Sequence, residues 1–286
     1  MQRLDNGSMT AVSTRPSQQV QWHHYRAHGY KIQCLSPFKR FRGVEIPWEN
    51  PMNLGQVTEF VAKSSRSRKV VKLAAGQFGT PVELYVKRYN FKTWYAPYLR
   101  VLRSSRAREE FELGWALMDA GIRTPRPVWL AEADNTVSRY SMIATEAIPG
   151  AENGVERWIH AQNEDERREL LVAFGSYFHT LHERGFYHDD CKAAHVLVLP
   201  HARNEPEKFF MIDLAGCKLL GRLTAYRRAK NLYQVLHSLM PRKGNGFGFT
   251  KEHANIFLSA YAGSPMEARP WVKWVDRIGR LKGRRL

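Results

Sequence analysis

Strand-like alternation of apolar and polar residues dominates the chain up to residue 148, and helical spacing dominates after residue 155. Apolar residues at every second position, with polar or glycine-containing connections between the runs, predict short antiparallel strands. Apolar residues three and four positions apart predict amphipathic helices. The predicted strands cover residues 57–62, 69–73, 82–89, 128–130, 142–148, 196–199 and 208–212, and the predicted helices cover 104–120, 170–181, 225–239, 252–261 and 271–281.

This order of elements predicts an α+β fold with two lobes. Residues 51–148 would form a small antiparallel-sheet N-lobe, and residues 149–286 a mainly helical C-lobe. Residues 1–50 are polar at first and then mix aromatic, basic and proline residues without a period. They predict an irregular, partly disordered lead-in. A hydrophobic fraction of 43% in 286 residues is enough for a substantial core.

The last segment has a basic amphipathic pattern. Its apolar residues share one helical face and are surrounded by lysine and arginine; they are Trp271, Trp274, Val275, Ile278 and Leu281. Such a helix can lie on an anionic membrane leaflet. It can equally pack on the C-lobe as a last helix with a basic end, and the pattern leaves both alternatives open.

A short run in the C-lobe carries the clearest candidate chemistry. An apolar lead into His188 is followed by Asp190, by Lys192 two residues later and by His195 five residues later, and then by an apolar strand. This spacing is typical of the catalytic loop of kinases. The hairpin predicted from residues 196–199 and 208–212 would bring Asp190 close to Asp213. In that interpretation Asp190 orients the attacking hydroxyl, and Asp213 holds the Mg²⁺ that bridges the phosphates of ATP.

The N-lobe offers residues for binding the nucleotide. Lys87 lies in the predicted strand at 82–89, in the same relation to its apolar residues as the phosphate-contacting lysine of kinases, although an exposed edge-strand lysine remains an alternative. Glu146 ends the strand before Pro149 and Gly150, where a hinge between the lobes would meet the adenine. Residues 63–69 occupy the place of the phosphate-covering loop but contain no glycine. They would reach phosphates through serine and basic side chains, or form a solvated hairpin tip.

Net charge and cysteine content restrict the partners and the compartment. A net charge of +17 predicts an acidic partner, either nucleic acid, an anionic membrane surface or a polyanionic small substrate. No nucleic-acid-binding motif accompanies the charge, so we expect no nucleic acid. Three cysteines without paired spacing predict reduced thiols. The first residues lack the apolar run of a signal peptide, so we expect a cytoplasmic protein.

Beyond the generic kinase pattern, these residues resemble one family, the bacterial lipopolysaccharide kinases of the Kdo/WaaP type. The core heptose kinases of that family are similar to the run from His188 to His195, in which a cysteine follows the aspartate and a histidine replaces the asparagine of protein kinases. Further similar segments make the resemblance cover roughly residues 55–262; they are 85–89, 107–111, 121–127, 212–214 and 228–232.

The resemblance implies a protein-kinase-like two-lobed fold that uses ATP and Mg²⁺. It implies phosphorylation of a sugar hydroxyl, with a heptose of the lipopolysaccharide inner core as the expected acceptor and the core saccharide as the partner. Such a protein would be cytoplasmic, with peripheral contact to the anionic cytoplasmic face of the inner membrane. Among three candidate glutamates on the first helix, the resemblance favours Glu110 over Glu109 and Glu112 as the partner of Lys87.

Some positions depart from the family pattern. Asp189 replaces the usual arginine, Lys192 stands where a tyrosine is common, and Asn231 replaces a common aspartate. Lys192 restores the lysine that contacts the transferred phosphate in ordinary kinases. Because Mg²⁺ prefers oxygen ligands, we expect His195 to orient Asp190 or a metal-bound water, with direct metal ligation as the alternative.

Two other functions fit the same residues. A protein kinase is the first, although the short passage after Asp213 has no Ala-Pro-Glu segment and leaves little room for a peptide-positioning loop. A non-catalytic pseudokinase scaffold is the second, given the missing glycine loop and His195. The presence of both carboxylates, Asp190 and Asp213, argues against the scaffold.

Overall fold

The computed structural model describes residues 20–48, 68–90, 104–134, 140–199, 208–240 and 248–283. It confirms an α+β architecture in which an antiparallel sheet is followed by a mainly helical lobe. The strand predicted at 57–62 and the segment 63–67 lie outside the described residues.

The N-lobe is built on a six-stranded antiparallel sheet. Its strands are β1 (Trp22–Ala27), β2 (Tyr30–Leu35), β3 (Arg68–Leu73), β4 (Leu84–Asn90), β5 (Pro127–Ala133) and β6 (Tyr140–Glu146), in the order β1-β2-β5-β6-β4-β3. Helix α1 (Arg106–Asp119) begins at the N-cap Ser105, whose side chain accepts a hydrogen bond from the backbone of Arg108. Ala107 and Phe111 of α1 pack on the sheet in a buried cluster with Tyr89. This contact fixes which face of α1 points towards β4.

The irregular lead-in expected before residue 51 is wrong for residues 22–35, which form a hairpin paired to β5. The turn uses His28 and Gly29, both at positive φ (51° and 78°), as a two-residue hairpin of the primed type requires. His-Gly is a weaker turn signal than Asn-Gly. The polar residues of β1 suit the edge of a sheet, where only one side is covered. Pairing with a strand about 100 residues away decided this structure, and the local pattern did not show it.

The C-lobe surrounds a single large core. Its helices are α2 (Gly154–His160), α3 (Glu164–Glu183), α4 (Ala225–Leu239), α5 (Lys251–Ala262) and α6 (Pro265–Leu281). Helix α3 buries the predicted apolar face, which consists of Leu170, Leu171, Phe174, Phe178 and Leu181. At its crossing with α5, a Cβ on Gly175 would lie 2.4 Å from the carbonyl oxygen of Phe257. Glycine is therefore needed for the two backbones to approach this closely.

Short strands in the C-lobe position the candidate catalytic loop, which runs from His188 to His195. They are β7 (Glu152–Asn153), β8 (Phe186–His188), β9 (Val196–Leu199), β10 (Lys208–Met211) and β11 (Cys217–Leu219). The predicted hairpin is confirmed, since β9 pairs antiparallel with both β10 and β7. Strand β8 pairs with β11. The catalytic-loop residues therefore leave β8 and return into β9, next to the end of β10.

The amphipathic face of α6 is largely occupied by the C-lobe. Val275 and Ile278 are buried in its core, and Trp271 and Trp274 pack against it while partly buried. Leu281 remains 77% exposed. In the part of the chain that is described, no helix is both long and apolar enough to cross a membrane. The packed alternative therefore accounts for most of the apolar residues of this helix.

Candidate active site

A buried ion pair joins the sheet to α1. The ammonium group of Lys87 on β4 donates a hydrogen bond to Glu110 Oε1, and the hydroxyl of Tyr89 donates to Glu110 Oε2. The Lys87 and Glu110 side chains are only 13% and 3% exposed. Burial and the nearby Glu110 raise the pKa of Tyr89 well above its usual value, so Tyr89 stays a donor. Both carboxylate oxygens are thus satisfied, as a buried charge requires.

Of the three candidate glutamates, Glu110 is the one that faces Lys87. Glu112 instead pairs with Arg108 at 3.3 Å on the outer side of α1. Ala107, Glu110 and Phe111 lie about one helical turn apart and share the packed side of α1. Glu112 is two positions from Glu110 and therefore points to the other side.

Glu146 lies at the end of β6, where the chain passes from one lobe to the other. Its carboxylate accepts two hydrogen bonds from Arg126, at 3.0 Å from Nε and 2.6 Å from Nη2. The backbone N–H of Glu146 donates to the carbonyl of Arg126, and that of Ala147 donates to the carbonyl of Glu83. Glu146 therefore stiffens the connection, and its predicted contact with the nucleotide stays a prediction.

Asp213 follows β10 in a left-handed backbone conformation, with φ at 57°. Non-glycine residues rarely adopt this conformation, and those that do often lie at functional sites. Arg68, at the start of β3, forms an ion pair with Asp213 Oδ1. Burial opposes ionisation of Asp213, but Lys87 and Arg68 outweigh it and lower its pKa. The carboxylate is therefore ionised at neutral pH.

His195 lies between the backbone of Asp190 and the carboxylate of Asp213. Its Nδ1 is 2.9 Å from the backbone carbonyl of Asp190, and its Nε2 is 3.6 Å from Asp213 Oδ2. Because a carbonyl can only accept, Nδ1 carries the proton in the neutral ring and Nε2 presents its lone pair to the Asp213 side. Burial, the largest influence, lowers the pKa of His195, which favours this neutral form. His195 thus contacts the backbone of Asp190 and not its carboxylate.

Three side chains of α4 hold the catalytic loop. The amide of Asn231, which is 1% exposed, accepts from the N–H of His188 at 3.2 Å and donates to its carbonyl at 2.6 Å. Gln234 donates to the carbonyl of Asp189 at 2.7 Å, and Ser238 accepts from the N–H of Ala193 at 2.8 Å. An amide matches the N–H and the carbonyl of one residue, whereas an aspartate could match only the N–H.

Asp190 and Lys192 form the exposed part of the loop. Lys192 Nζ lies 2.6 Å from Asp190 Oδ2, and the two side chains are 41% and 62% exposed. Burial opposes ionisation of Asp190, but the hydrogen bond from Lys192 outweighs it and lowers the pKa. Cys191 between them is buried, and burial raises the pKa of its thiol, which disfavours the reactive thiolate.

The predicted residues are divided between two cavities. Five of them, Lys87, Glu110, Glu146, His195 and Asp213, line a cleft of about 540 Å³ between the lobes. Its walls also include apolar side chains suited to a planar base, among them Val70, Ile143 and Leu197. The other two, Asp190 and Lys192, line a second cavity of about 410 Å³ on the α4 side of the loop.

The cleft fits a nucleotide that brings most of the metal ligands itself. In the described part of the chain no group of three or more His, Cys, Asp or Glu side chains forms a preformed metal site. Mg²⁺ is commonly bound by one or two carboxylates together with substrate phosphates and water. Asp213 can supply that carboxylate, and Lys87 and Arg68 can supply charge for the phosphates.

The contacts of four residues of the site are not visible in the sequence: those of Arg68, Tyr89, Arg126 and Asn231. Arg68 belongs to the basic segment 63–69, which indicates its charge but not its contact with Asp213. In the sequence Asn231 is only a departure from a family pattern. Each of these residues acts on a partner at least 20 positions away, and local pattern does not report such contacts.

Comparison with known proteins identifies the fold and a family model. The model of the lipopolysaccharide kinase (Kdo/WaaP) family matches residues 56–261. A solved structure, "WaaP in complex with acyl carrier protein", is 20% identical in sequence with a TM-score of 0.56, and the match covers 87% of this chain and 98% of that one. This likeness confirms the kinase-like fold. No curated protein matches the sequence.

Proposed function

Because the chain belongs to the lipopolysaccharide kinase (Kdo/WaaP) family, we propose that it transfers the γ-phosphoryl group of ATP to a heptose hydroxyl of the lipopolysaccharide inner core. Family membership establishes a kinase of lipopolysaccharide, and the heptose acceptor is our proposal. One observation carries it. The Lys87–Glu110 pair and Asp213 line one cleft, while Asp190 and Lys192 line a second cavity, which would give the nucleotide and the acceptor separate sites.

Asp190 would act on the acceptor. Its carboxylate, ionised at neutral pH, would accept a hydrogen bond from the sugar hydroxyl, align it with the phosphoryl group and take the proton late. Lys192 would turn from Asp190 towards the charge that develops on the transferred group. The contact between Lys192 and Asp190 is exposed and joins residues only two positions apart, so a ligand can readily replace it.

The nucleotide side would rely on groups that are already fixed. Lys87, held by Glu110, would contact the α and β phosphates, and Arg68 would share this charge. Asp213 would hold Mg²⁺, which neutralises the phosphate oxygens when bound. His195 would keep the backbone of Asp190 in place through Nδ1. Direct ligation by its Nε2 is the weaker alternative, because an imidazole is a poor ligand for Mg²⁺.

The acceptor also gives the basic charge a partner. We expect the protein to work in the cytoplasm at the cytoplasmic face of the inner membrane, where anionic lipid and an anionic saccharide meet. Since most apolar residues of α6 pack on the C-lobe, such contact would rest mainly on lysine and arginine.

The test is phosphate transfer from labelled ATP, with Mg²⁺, to three acceptors. They are core saccharide from a strain that lacks this protein, the same core without heptose, and a generic protein substrate. We expect labelling of the heptose-containing core alone, with Asp190→Asn as the inactive control. Labelling of the heptose-free core or of the protein substrate would contradict the heptose assignment, and ATP binding without any transfer would favour a scaffold.

A further inference from the structure

The second cavity has the properties of a binding site for an anion. It opens beside the catalytic loop and has a volume of about 410 Å³. Its lining comes from the loop, from α4 and from the end of α6, and consists of Asp190, Cys191, Lys192, Tyr233, Gln234, His237, Ser238 and Lys282. Asp190 is the one carboxylate among these residues, and it is already paired with Lys192, whose Nζ lies 2.6 Å from Asp190 Oδ2. The remaining charge of the cavity is therefore positive.

Lys282 lines this cavity but has no role in the proposed phosphoryl transfer. It follows α6 directly, and its ammonium lies 5.2 Å from the centre of the Tyr233 ring. This cation–π contact with a residue of α4 directs the exposed side chain to the cavity. Among the described residues no carboxylate lies within ion-pair distance of Lys282. Its ammonium therefore keeps donors that a ligand can use.

Two polar side chains of the cavity floor are already bonded within the protein. Ser238 donates to the carbonyl of Val235 at 2.7 Å and accepts from Ala193, and Gln234 donates to Asp189. These contacts fix that part of the floor, and the lysines supply the positively charged donors to a ligand. A lysine ammonium binds phosphate or carboxylate oxygens as a point charge.

From this arrangement we infer that Lys282 binds an anionic group of the acceptor saccharide, a phosphate or a carboxylate, while Asp190 engages the hydroxyl to be phosphorylated. The inference rests on the proposed function and adds the substrate's charge and the residue that reads it. A nucleotide is the poorer occupant, because Lys87, Arg68 and Asp213 all line the other cleft. The end of α6 is then part of the acceptor site.

The experiment measures kinetics and binding on the full chain with Lys282→Gln, Lys282→Arg and the control Lys273→Gln, an exposed lysine on the same helix. The probes are deacylated core oligosaccharide, the same oligosaccharide after phosphatase treatment, and the same after carboxyl reduction. Binding is titrated in the presence of a non-hydrolysable ATP analogue. We expect Lys282→Gln to raise the acceptor KM and Kd about tenfold, the scale of one charge-assisted contact.

Further readouts separate an anion contact from a structural effect. The kcat and the KM for ATP should stay within about twofold, and Lys282→Arg should retain most of the affinity, since it keeps the charge. Added salt should weaken acceptor binding more in the wild type than in Lys282→Gln. The effect of Lys282→Gln should disappear with the probe that lacks the recognised group, which tells phosphate from carboxylate.

The outcomes distinguish the two proposals. If the wild type phosphorylates the heptose-containing core but Lys282→Gln binds every probe as the wild type does, the inference is wrong and the proposed function stands. If the penalty is equal for the intact, the phosphatase-treated and the carboxyl-reduced oligosaccharide, the inference is also wrong. If the wild type transfers phosphate to no acceptor while binding of the charged oligosaccharide depends on Lys282, the proposed function fails and the anion site stands.

Discussion

Two lysine–carboxylate pairs lie on opposite sides of the active site, and they differ in burial. Lys87 and Glu110 are almost completely buried, and Tyr89 satisfies the second carboxylate oxygen. Asp190 and Lys192 are about half exposed and lie only two residues apart. The buried pair is held by α1 and the sheet, whereas the exposed pair belongs to one loop.

The difference in burial predicts different roles for the two pairs. Breaking a buried pair leaves an uncompensated charge at high cost, so Lys87 and Glu110 are fixed in place before any ligand arrives. An exposed pair contributes little to stability, so Lys192 can leave Asp190 when an acceptor and a phosphoryl group compete for it. Under the proposed function, the nucleotide side would therefore be preorganised and the acceptor side exchangeable.

The largest effect tests the exposed pair. Asp190→Asn should lower kcat for phosphate transfer by about 10³-fold, because the amide cannot accept the proton of the acceptor hydroxyl. Affinity for an ATP analogue should not change, since Asp190 lines the second cavity and not the cleft. Thermal unfolding should also stay the same. A large drop in nucleotide affinity would show that the two sides are not separate.

The next effect tests the buried pair. Glu110→Gln should lower the free energy of unfolding by about 3 kcal/mol, because Lys87 loses the buried carboxylate to which it is hydrogen-bonded. The matched control is Glu112→Gln on the same helix, whose exposed ion pair with Arg108 should contribute less than about 0.5 kcal/mol. Chemical denaturation measures both variants. Equal stabilities would refute the contrast between buried and exposed pairs.

A smaller effect tests how α4 supports the loop that carries the exposed pair. Asn231→Asp should cost about 2 kcal/mol in unfolding free energy, because a carboxylate would face the carbonyl of His188. Gln234→Ala removes the exposed contact with Asp189 and the 3.3 Å hydrogen bond that Asn231 donates to Gln234 Oε1, and should cost about 1 kcal/mol or less. Activity should fall more in Asn231→Asp than in Gln234→Ala. The reverse order would place the main support of the loop at Gln234.

The smallest effect tests whether burial keeps a histidine of the C-lobe core uncharged. His182 is buried against Tyr261, and burial lowers its pKa to about 3. The unfolded chain takes up a proton near pH 6.5 while the folded chain does not, so stability should fall by about 1 kcal/mol from pH 7 to pH 5.5.

The His182→Gln variant should lose that part of the pH dependence, measured as unfolding free energy at the two pH values. The exposed His179 of the same helix provides the control, because His179→Gln should retain the wild-type slope. A wild-type slope in His182→Gln would mean that the histidine is not held neutral by burial.

Much of the fold and the site could be predicted because the signals are local. Helix α4 matches its predicted bounds, and α1 and α5 lie within one or two residues of theirs, since apolar spacing and caps act over one or two turns. The β9–β10 hairpin was predicted from two apolar runs and a turn-rich segment between them. The spacing from His188 to His195 gave the loop that the structure places between the two cavities.

The amino-acid sequence by itself determined the candidate chemistry: a lysine within an apolar strand, a carboxylate before Lys192 and a carboxylate after β10. The tertiary structure decided that residues 22–35 join the sheet, that most apolar residues of α6 pack on the C-lobe, and that Asp190 and Asp213 face different cavities. The physical reason is the distance along the chain over which each kind of interaction acts. Backbone preference acts between near neighbours in the chain, whereas burial and pairing join Arg68 to Asp213 and Asn231 to His188 across the whole molecule.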